Sequence, residues 1–315
     1  MLESVGQTAG VDISKDHLDV CLYPHGATTR FAYDAEGLAA LIAWLAPHAP
    51  TRIVFEATGV YHRAFERALG DRGLPVIKIN PRQARRFAEA VGKRAKTDRV
   101  DAAMLARFGA LLAPPVRPIT SAILDQMTEL HLARCALVKD RVAAQNRQKN
   151  LALDLLKCQT AQRLKQIEAQ LTAIDAELAR LTKTDPDLQA RFDILVSIPG
   201  IGAATAFALL IEMPALGALE SRQAASLAGL APVTRESGQW KGKSFISGGR
   251  AGLRQALYMP ALVAIRFNAD LKAKYQALTK AGKAPKVAIT AVMRKLIVLA
   301  NALLRDSRKW TPRVA

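Results

Sequence analysis

A long stretch without glycine or proline divides the chain. Neither residue occurs from Ile119 to Asp185, so nothing there forces a helix to stop. A single helix of this length would extend about 100 Å at about 1.5 Å per residue, which favours a helical hairpin or a protruding coiled coil. The second half has the alternating three- and four-residue spacing of a heptad seam, at Leu164, Ile167, Leu171, Ile174, Leu178 and Leu181. Such a seam can pack within one chain or join two chains, and both roles stay open.

The segment before this stretch has the pattern of a mixed α/β domain. Three strand-like runs follow each other closely and predict an antiparallel meander. Two later runs alternate with helical patterns, which predicts parallel pairing through crossovers. This order is that of an RNase H-like sheet. The predicted strands are 8–13, 18–23, 28–33, 52–56 and 75–79, and the predicted helices are 36–47, 60–72 and 81–90.

The segment after it is predicted to be a mostly α-helical domain. Thr184-Asp-Pro-Asp187 ends the long stretch, because proline cannot continue a helix. Further helices are predicted near 221–229, 250–267 and 285–305. The sequence thus predicts three parts, with boundaries at 1–117, 118–185 and 186–315.

A glycine-containing turn lies early in the third part. Leu195–Ala206 has the pattern of a helix–hairpin–helix, with Gly200 and Gly202 in its turn. The backbone N–H groups at the start of the second helix can hold a phosphate without reading bases. A turn that serves helix packing alone has the same pattern, and the sequence does not decide between the two.

The charge of the chain points to a polyanionic partner. The formal net charge is +18 and the isoelectric point about 10.2. From Arg235 to Ala315 there are 17 basic and 3 acidic residues, so most of the excess lies in the last quarter. Nucleic acid is the most frequent partner of such a surface. A basic tail that only improves solubility is the alternative.

Cysteine usage and the first residues predict an intracellular protein. Cys21, Cys135 and Cys158 are far apart and have no zinc-ligand spacing, so neither a disulfide framework nor a structural zinc site is expected. The N-terminus lacks the basic and apolar regions of a signal peptide. No apolar run is expected to cross a membrane.

Four carboxylates stand where a nuclease-type metal site needs them. Asp12 lies in the first strand-like run, Glu56 closes the fourth, and Asp98 and Asp101 share one face of a predicted helix start. One or two Mg²⁺ ions held by such groups can neutralise a scissile phosphate. Acids at a helix start are also favoured by the helix dipole alone. The prediction of a metal site therefore rests on all four acids and their order along the chain.

A polar, glycine-rich segment at 232–250 is predicted to be a loop with a possible nucleophile. Ser237 precedes Gly238, and its hydroxyl could form a phosphoserine link to DNA. Ser244 and Ser247 compete for that role, and a serine in a turn usually has no catalytic role. Phosphates around the loop could be neutralised by the basic residues Lys241, Lys243, Arg250 and Arg254.

In combination, seven short segments resemble the DEDD transposases of bacterial insertion sequences, the IS-one-ten family. They cover nearly the whole chain in the family's order: Val11–Lys15, Phe55–Gly59, Lys96–Ala102, Ser197–Gly202, Leu227–Pro232, Glu236–Gly238 and Leu257–Pro260. Ser247–Arg250 and Met293–Leu296 are similar to the IS-eleven-eleven subgroup. Many relatives have a basic residue where this chain has Gly248, which puts phosphate contacts there in doubt.

The resemblance implies a RuvC-like domain, a coiled coil and a C-terminal transposase domain. It implies that Asp12, Glu56, Asp98 and Asp101 bind Mg²⁺ and that Ser237 is the strand-joining nucleophile. It also implies donor and target DNA as substrates, a structured bridge RNA that pairs with both, and a homo-oligomer, a dimer of dimers, whose site combines domains of different protomers. The setting would be the bacterial cytoplasm, at the nucleoid. Two alternatives remain, a junction resolvase that uses water and a non-catalytic RNA- or DNA-binding scaffold.

Overall fold

The computed structural model describes residues 6–57, 59, 61–92, 98–116, 118, 121–238, 240–242 and 244–312. The side chains of Asp98, Arg99, Trp240 and Lys241 lie outside that description. The chain forms two compact units, Met1–Thr120 and Ser121–Ala315. The predicted coiled-coil stretch belongs to the second unit, together with the C-terminal helices.

The first unit is a five-stranded mixed sheet of order β3-β2-β1-β4-β5. β1, β2 and β3 are antiparallel neighbours, whereas β4 and β5 run parallel to β1. This arrangement is compatible with the RNase H-like domain that the sequence predicts. Its strands are β1 Thr8–Ile13, β2 His17–Tyr23, β3 Thr28–Ala32, β4 Arg52–Glu56 and β5 Val76–Ile79, and its helices are α1 Ala35–Leu45, α2 His62–Gly70, α3 Pro81–Ala90 and α4 Asp98–Leu112.

Alternation along the strands gives each face of the sheet its own helical layer. In β1 the side chains of Ala9, Val11 and Ile13 are buried in the core that α1 and α2 cover, and the residues between them point to the other face. That second face is covered by α4 and α3, with Val54 and Leu105 in its core.

Two glycines let α4 lie directly on the sheet. A Cβ at Gly10 would stand 2.1 Å from the carbonyl oxygen of Ala102, and a Cβ at Gly109 would meet Thr8 and Val54 within 2.7 Å. The start of α4 therefore lies toward the end of β1, and its later turns lie toward the beginning. α4 runs antiparallel to β1, and its first turn reaches the sheet edge where β1 and β4 end.

The second unit is helical. α5 and α6 form a pair joined by ion pairs such as Arg134–Asp175 at 2.6 Å and Arg141–Glu168 at 3.0 Å, whose numbering shows that the helices are antiparallel. The predicted hairpin is therefore present, and part of the seam packs within the chain, with Leu178 and Leu181 against Met127. The helices are α5 Ala122–Gln148, α6 Asp154–Lys183, α7 Pro186–Val196, α8 Ala203–Glu212, α9 Ser221–Leu227, α10 Ala251–Ala256, α11 Tyr258–Phe267, α12 Ala269–Lys280 and α13 Pro285–Arg305.

The core of this unit is built around α13. Ten of its residues are buried, among them Val292, Leu296 and Ala300. Among the described residues, α13 is also long and apolar enough to cross a membrane by length and composition alone. Slightly more than half of its most apolar window, 56%, is buried inside the protein, as expected of a central core helix.

Three details of the second unit differ from the prediction. The helix expected over 250–267 is two helices, α10 and α11, because Pro260 in the first turn of α11 has no N–H to continue the hydrogen bonding of α10. α12 was not predicted. The loop expected over 232–250 contains short antiparallel strands, which are β6 Pro232–Val233, β7 Glu236–Ser237, β8 Trp240–Lys241 and β9 Phe245–Ile246.

Candidate catalytic edge and serine hairpin

The first two predicted acids lie on one face of the sheet at one edge. Asp12 is two residues after Gly10, so it faces α4 as Gly10 does. Glu56 ends β4 and is two residues after Val54, whose side chain packs under α4. Both side chains are half-buried. Because β1 and β4 are parallel neighbours, the sheet carries Asp12 and Glu56 side by side.

The other two acids are in the first turn of the helix above this edge. α4 begins at Asp98, and Asp101 immediately precedes Ala102, the residue against which Gly10 packs. The backbone thus brings both positions over the end of β1. The Asp101 side chain is half-buried, whereas the prediction for the Asp98 carboxylate falls outside the described residues. We name the end of β1, the end of β4 and the first turn of α4 the carboxylate edge.

An acid that the sequence reasoning missed stands beside Asp12. Asp19 of β2 is the cross-strand partner of Asp12, and Arg30 of β3 is in turn the partner of Asp19. Arg30 Nε and Nη2 donate to the two carboxylate oxygens of Asp19 at 3.0 and 2.8 Å. Asp19 is 3% exposed. Its sequence signal was an acid inside the otherwise apolar run Leu18–Leu22.

A tyrosine fixes the chain that follows Glu56. The hydroxyl of Tyr33 donates to the carbonyl oxygen of Tyr61 and accepts from the backbone N–H of Phe65 at 3.1 Å. These bonds hold the start of α2, the helix that follows the end of β4. Burial raises the pKa of the Tyr33 hydroxyl, so it stays a neutral donor at physiological pH.

The carboxylate edge has the ligand chemistry of a Mg²⁺ site. Carboxylate oxygens are the ligands that Mg²⁺ prefers in proteins. Among the described side chains, no group of three or more His, Cys, Asp or Glu residues is arranged to hold a metal ion. Asp12, Glu56 and Asp101 are among the side chains described, so the structure does not arrange these three predicted ligands as a metal-holding group. The Asp98 carboxylate lies outside the described residues.

Ser237 lies in a small β-hairpin of the second unit. Ser237 pairs with Trp240 across a turn in which Gly238 has a φ of 55°, a conformation that favours glycine. Ser237 and its neighbour Glu236 are exposed. The Arg235 guanidinium lies 4.8 Å from the centre of the Phe245 ring, and this contact ties the base of the hairpin to β9. We name residues 232–246 the serine hairpin.

The predicted phosphate-binding residues near the hairpin have different environments. Arg254 Nη1 donates to the carbonyl oxygens of Gly248 at 2.9 Å and Gly229 at 3.3 Å, so part of its guanidinium holds the backbone. The N–H of Arg250 donates to the carbonyl oxygen of Leu227 at 2.9 Å. The Lys241 side chain and the whole of Lys243 lie outside the described residues.

The chain beyond the serine hairpin is locked by a contact between two glycines. A Cβ at Gly249 would lie 2.2 Å from the backbone nitrogen of Gly229, and Gly249 has a φ of 61°. Only glycine allows two backbones to approach this closely. This contact attaches one end of the serine hairpin to the turn after α9.

The two glycines of the predicted helix–hairpin–helix turn have different surroundings. Gly200 has a φ of 101°, and a Cβ there would lie 2.5 Å from the carbonyl oxygen of Pro260 in α11. Its position serves packing. Gly202 is exposed, begins α8 without a side-chain cap, and has nothing within 4 Å of where its Cβ would be. Phosphate binding by these residues stays a prediction.

Comparison with known proteins identifies the family. Residues 9–157 match a family model described as a DEDD-type IS110 transposase, and residues 192–276 match one described as the transposase IS116/IS110/IS902 family. The pilin gene-inverting protein of Moraxella bovis is 30% identical over 97% of this chain and 98% of its own length. The chain belongs to the IS110 family of transposases. A 43.6 kDa protein of the insertion element IS110 of Streptomyces coelicolor is 27% identical over 51% of this chain and 40% of its own length.

Membership of the IS110 family confirms the resemblance found in the sequence. It makes this chain a DNA-recombining enzyme with the family's two matched regions. The first matched region contains the carboxylate edge. The second contains the serine hairpin.

Proposed function

We propose that this IS110-family protein exchanges DNA strands through a covalent bond to Ser237, with the carboxylate edge at the reacting phosphate. The observation that carries the proposal is the placement of Asp12, Glu56 and the first turn of α4 at one edge of the sheet. The exposed Ser237, held on a short hairpin, supplies the hydroxyl.

The chemistry needs no external energy source. The Oγ of Ser237 attacks phosphorus, its proton leaves, and the bond from phosphorus to the 3′ oxygen breaks. The released strand takes up a proton as a 3′-hydroxyl, and the 5′-phosphate stays on the serine. A 3′-hydroxyl of the second DNA then attacks the phosphoserine and restores the serine hydroxyl. One phosphodiester is consumed and one is formed.

We propose that Asp12, Glu56, Asp98 and Asp101 hold Mg²⁺, in one- or two-ion form. Bound there, Mg²⁺ would neutralise charge on the phosphate and on the leaving oxygen. The four residues would contribute oxygen ligands from two strand ends and one helix turn. The Asp19–Arg30 pair keeps a further carboxylate neutralised beside Asp12, so that it does not add an unpaired negative charge to the edge.

The same proposal includes the RuvC-like character of the first unit and the three-part division of the chain. It includes phosphate contacts by Gly200, Gly202, Lys241, Lys243, Arg250 and Arg254. It also includes a bridge RNA that chooses the DNA sites, a dimer of dimers whose composite site joins units of different protomers, and action in the bacterial cytoplasm. The basic C-terminal quarter supports a nucleic-acid partner for the second unit.

The Ser237→Ala variant tests the nucleophile. We expect loss of strand exchange and of any covalent protein–DNA adduct, with nucleic-acid binding kept, because the hydroxyl is exposed and its removal leaves no cavity. Ser244→Ala and Ser247→Ala are matched controls on the same segment and should keep both activities. Exchange at the wild-type rate by Ser237→Ala would refute the assignment.

The Asp12→Asn and Asp101→Asn variants test the carboxylate edge. We expect strand exchange to fall at least about a hundredfold while the thermal midpoint changes little, because both substitutions conserve side-chain volume. The scaffold alternative predicts unchanged function. The water-dependent resolvase alternative predicts cleavage without an adduct by the unsubstituted protein.

DNA inversion is a second candidate outcome of the same chemistry, and the full-length similarity to a pilin gene-inverting protein favours it. Inversion and insertion use the same strand exchange and differ in how the two sites are arranged. A plasmid with two inverted sites and a pair of separate donor and target plasmids, tested side by side, distinguish them. Inversion products alone would support the invertase role.

A further inference from the structure

The helix next to the carboxylate edge carries a basic face with no assigned role. α3 follows β5, and Ile79 at the end of β5 is the cross-strand partner of Glu56. Asn80 caps the helix, its side chain accepting from the N–H of Arg82 at 2.8 Å. The first turn of α3 is therefore fixed beside the acid that ends β4.

One side of α3 packs on the unit and the opposite side is basic. Ala84 and Phe87 contact the core under α4, and the Phe87 ring meets the Phe108 ring edge-on at 5.3 Å. Arg82, Arg85 and Arg86 are exposed. At about 100° per residue these arginines fall on the side of the helix opposite Ala84 and Phe87. The packing contacts thus fix the direction in which the arginines point.

The arrangement of these arginines disfavours an isolated helix. Arg82 lies three positions from Arg85 and four positions from Arg86. Like charges at these two spacings are neighbours on the helix surface and repel each other. They stand near the N-terminus of α3, where the helix dipole favours acids, and its first turn has none. Arg85 has a 3.4 Å contact with Glu89, but both side chains are largely exposed. A bound polyanion would offset all of these costs.

The spacing fits a nucleic-acid backbone. Arg82 and Arg86 are one turn apart, about 6 Å along the helix axis, which covers roughly two phosphates of one strand. Residues 82–99, which run from the first turn of α3 to the first turn of α4, contain seven basic and two acidic residues. The first turn of α3 follows the strand beside β4, so a strand with a phosphate at the carboxylate edge is within reach of it.

We propose that the arginine face of α3 binds the phosphates of the DNA strand that flank the reacting phosphate at the carboxylate edge. The inference rests on the proposed function, since it takes the carboxylate edge as the place where DNA reacts. The contacts would be to phosphates and would carry no sequence information. They would hold the strand in register over the acids.

The test compares the salt dependence of DNA binding in two double variants of the full chain. In Arg82→Gln/Arg86→Gln, the slope of log affinity against log salt for a short random-sequence duplex should fall by about 2, at roughly 0.9 per phosphate contact. Arg72→Gln/Arg107→Gln is the matched control, since both arginines are exposed in the same unit and neither lies in α3. Its slope should stay at the wild-type value. Arg82→Lys/Arg86→Lys should also keep the slope.

A wild-type slope in Arg82→Gln/Arg86→Gln, with an unchanged thermal midpoint, would overturn the inference. A reduced slope for a structured RNA with an unchanged slope for duplex DNA would overturn it as well. Binding needs no strand exchange, so the result is independent of Ser237. If Ser237→Ala recombined normally while the slope fell as expected, the nucleophile assignment would fail and the arginine face would stand.

Discussion

Gly10 of β1 lies directly against the backbone of Ala102 in α4, where a Cβ would stand 2.1 Å from the carbonyl oxygen. This approach sets the height of α4 above the sheet and with it the position of the helix turn that carries Asp98 and Asp101. A glycine two residues before Asp12 therefore helps to determine the geometry of the carboxylate edge.

The Gly10→Ala variant should be strongly destabilised. The nearest atoms are backbone and cannot move aside, so we expect a loss of about 3 kcal/mol or more in the free energy of unfolding, measured by urea denaturation. Gly26→Ala is the matched control in the same unit, because Gly26 has a φ of 73° and nothing within 4 Å. Its cost should be only the backbone strain of about 1 kcal/mol. Equal losses would contradict the contact.

Removing Arg30 should cost more than removing the whole pair. The Asp19 side chain is 4% exposed and Arg30 supplies both of its hydrogen bonds, so Arg30→Ala leaves a buried charge beside Asp12. We expect a loss of about 2 kcal/mol in the free energy of unfolding, because a buried acceptor loses its donor. In Arg30→Ala/Asp19→Ala the unpaired charge is gone, and part of the stability should return. A double variant less stable than Arg30→Ala would show that this account is wrong.

The glycine contact behind the serine hairpin gives a prediction with an adjacent control. Gly248 and Gly249 both have positive φ, but only at Gly249 would an added Cβ meet another backbone, that of Gly229. Gly249→Ala should push the hairpin away from α9 and lower strand exchange at least about tenfold. Gly248→Ala has open space and should lose activity only slightly. Comparable activities of the two variants, measured on one DNA pair, would argue against positioning by this contact.

The three cysteines should react with iodoacetamide in a defined order. Cys158 is exposed, whereas Cys21 is buried and Cys135 is half-buried. Burial raises the thiol pKa of both Cys21 and Cys135, and Glu212 adds to the effect at Cys135. A raised pKa means less thiolate at pH 8 and slower alkylation, so Cys158 should be labelled first in the native protein. Peptide mass spectrometry would follow this order, and labelling in urea should remove the differences.

The elements of the first unit were predictable because their signals are local. Short apolar runs define β1, β2 and β4, and the side-chain period of two then assigns Asp12 and Glu56 to a face. The Asp19–Arg30 pair was not predictable, because it depends on the register of β2 with β3, which joins residues eleven positions apart. A lone acid in an apolar strand was its only local sign.

In the second unit, too, contacts between segments that are distant along the chain were not predictable from the sequence. The absence of glycine and proline predicted the α5–α6 pair, but the ion pairs that set its register appear only when the helices are side by side. The serine hairpin was expected to be a loop, because its strands have two residues each and such short pairs leave no periodic pattern. The packing role of Gly200 depends on α11, some sixty residues later in the chain.

The sequence by itself determined the family, the order of strands and helices in the first unit, and the residue types available for chemistry, because periodicity, glycine and proline placement and short motifs are properties of neighbouring residues. The tertiary structure decided which acids share an edge, which arginine neutralises Asp19, which glycines carry backbone contacts and which way the arginines of α3 point. These relationships depend on strand register and helix height above a sheet. Both are set by close packing between segments that are distant along the chain.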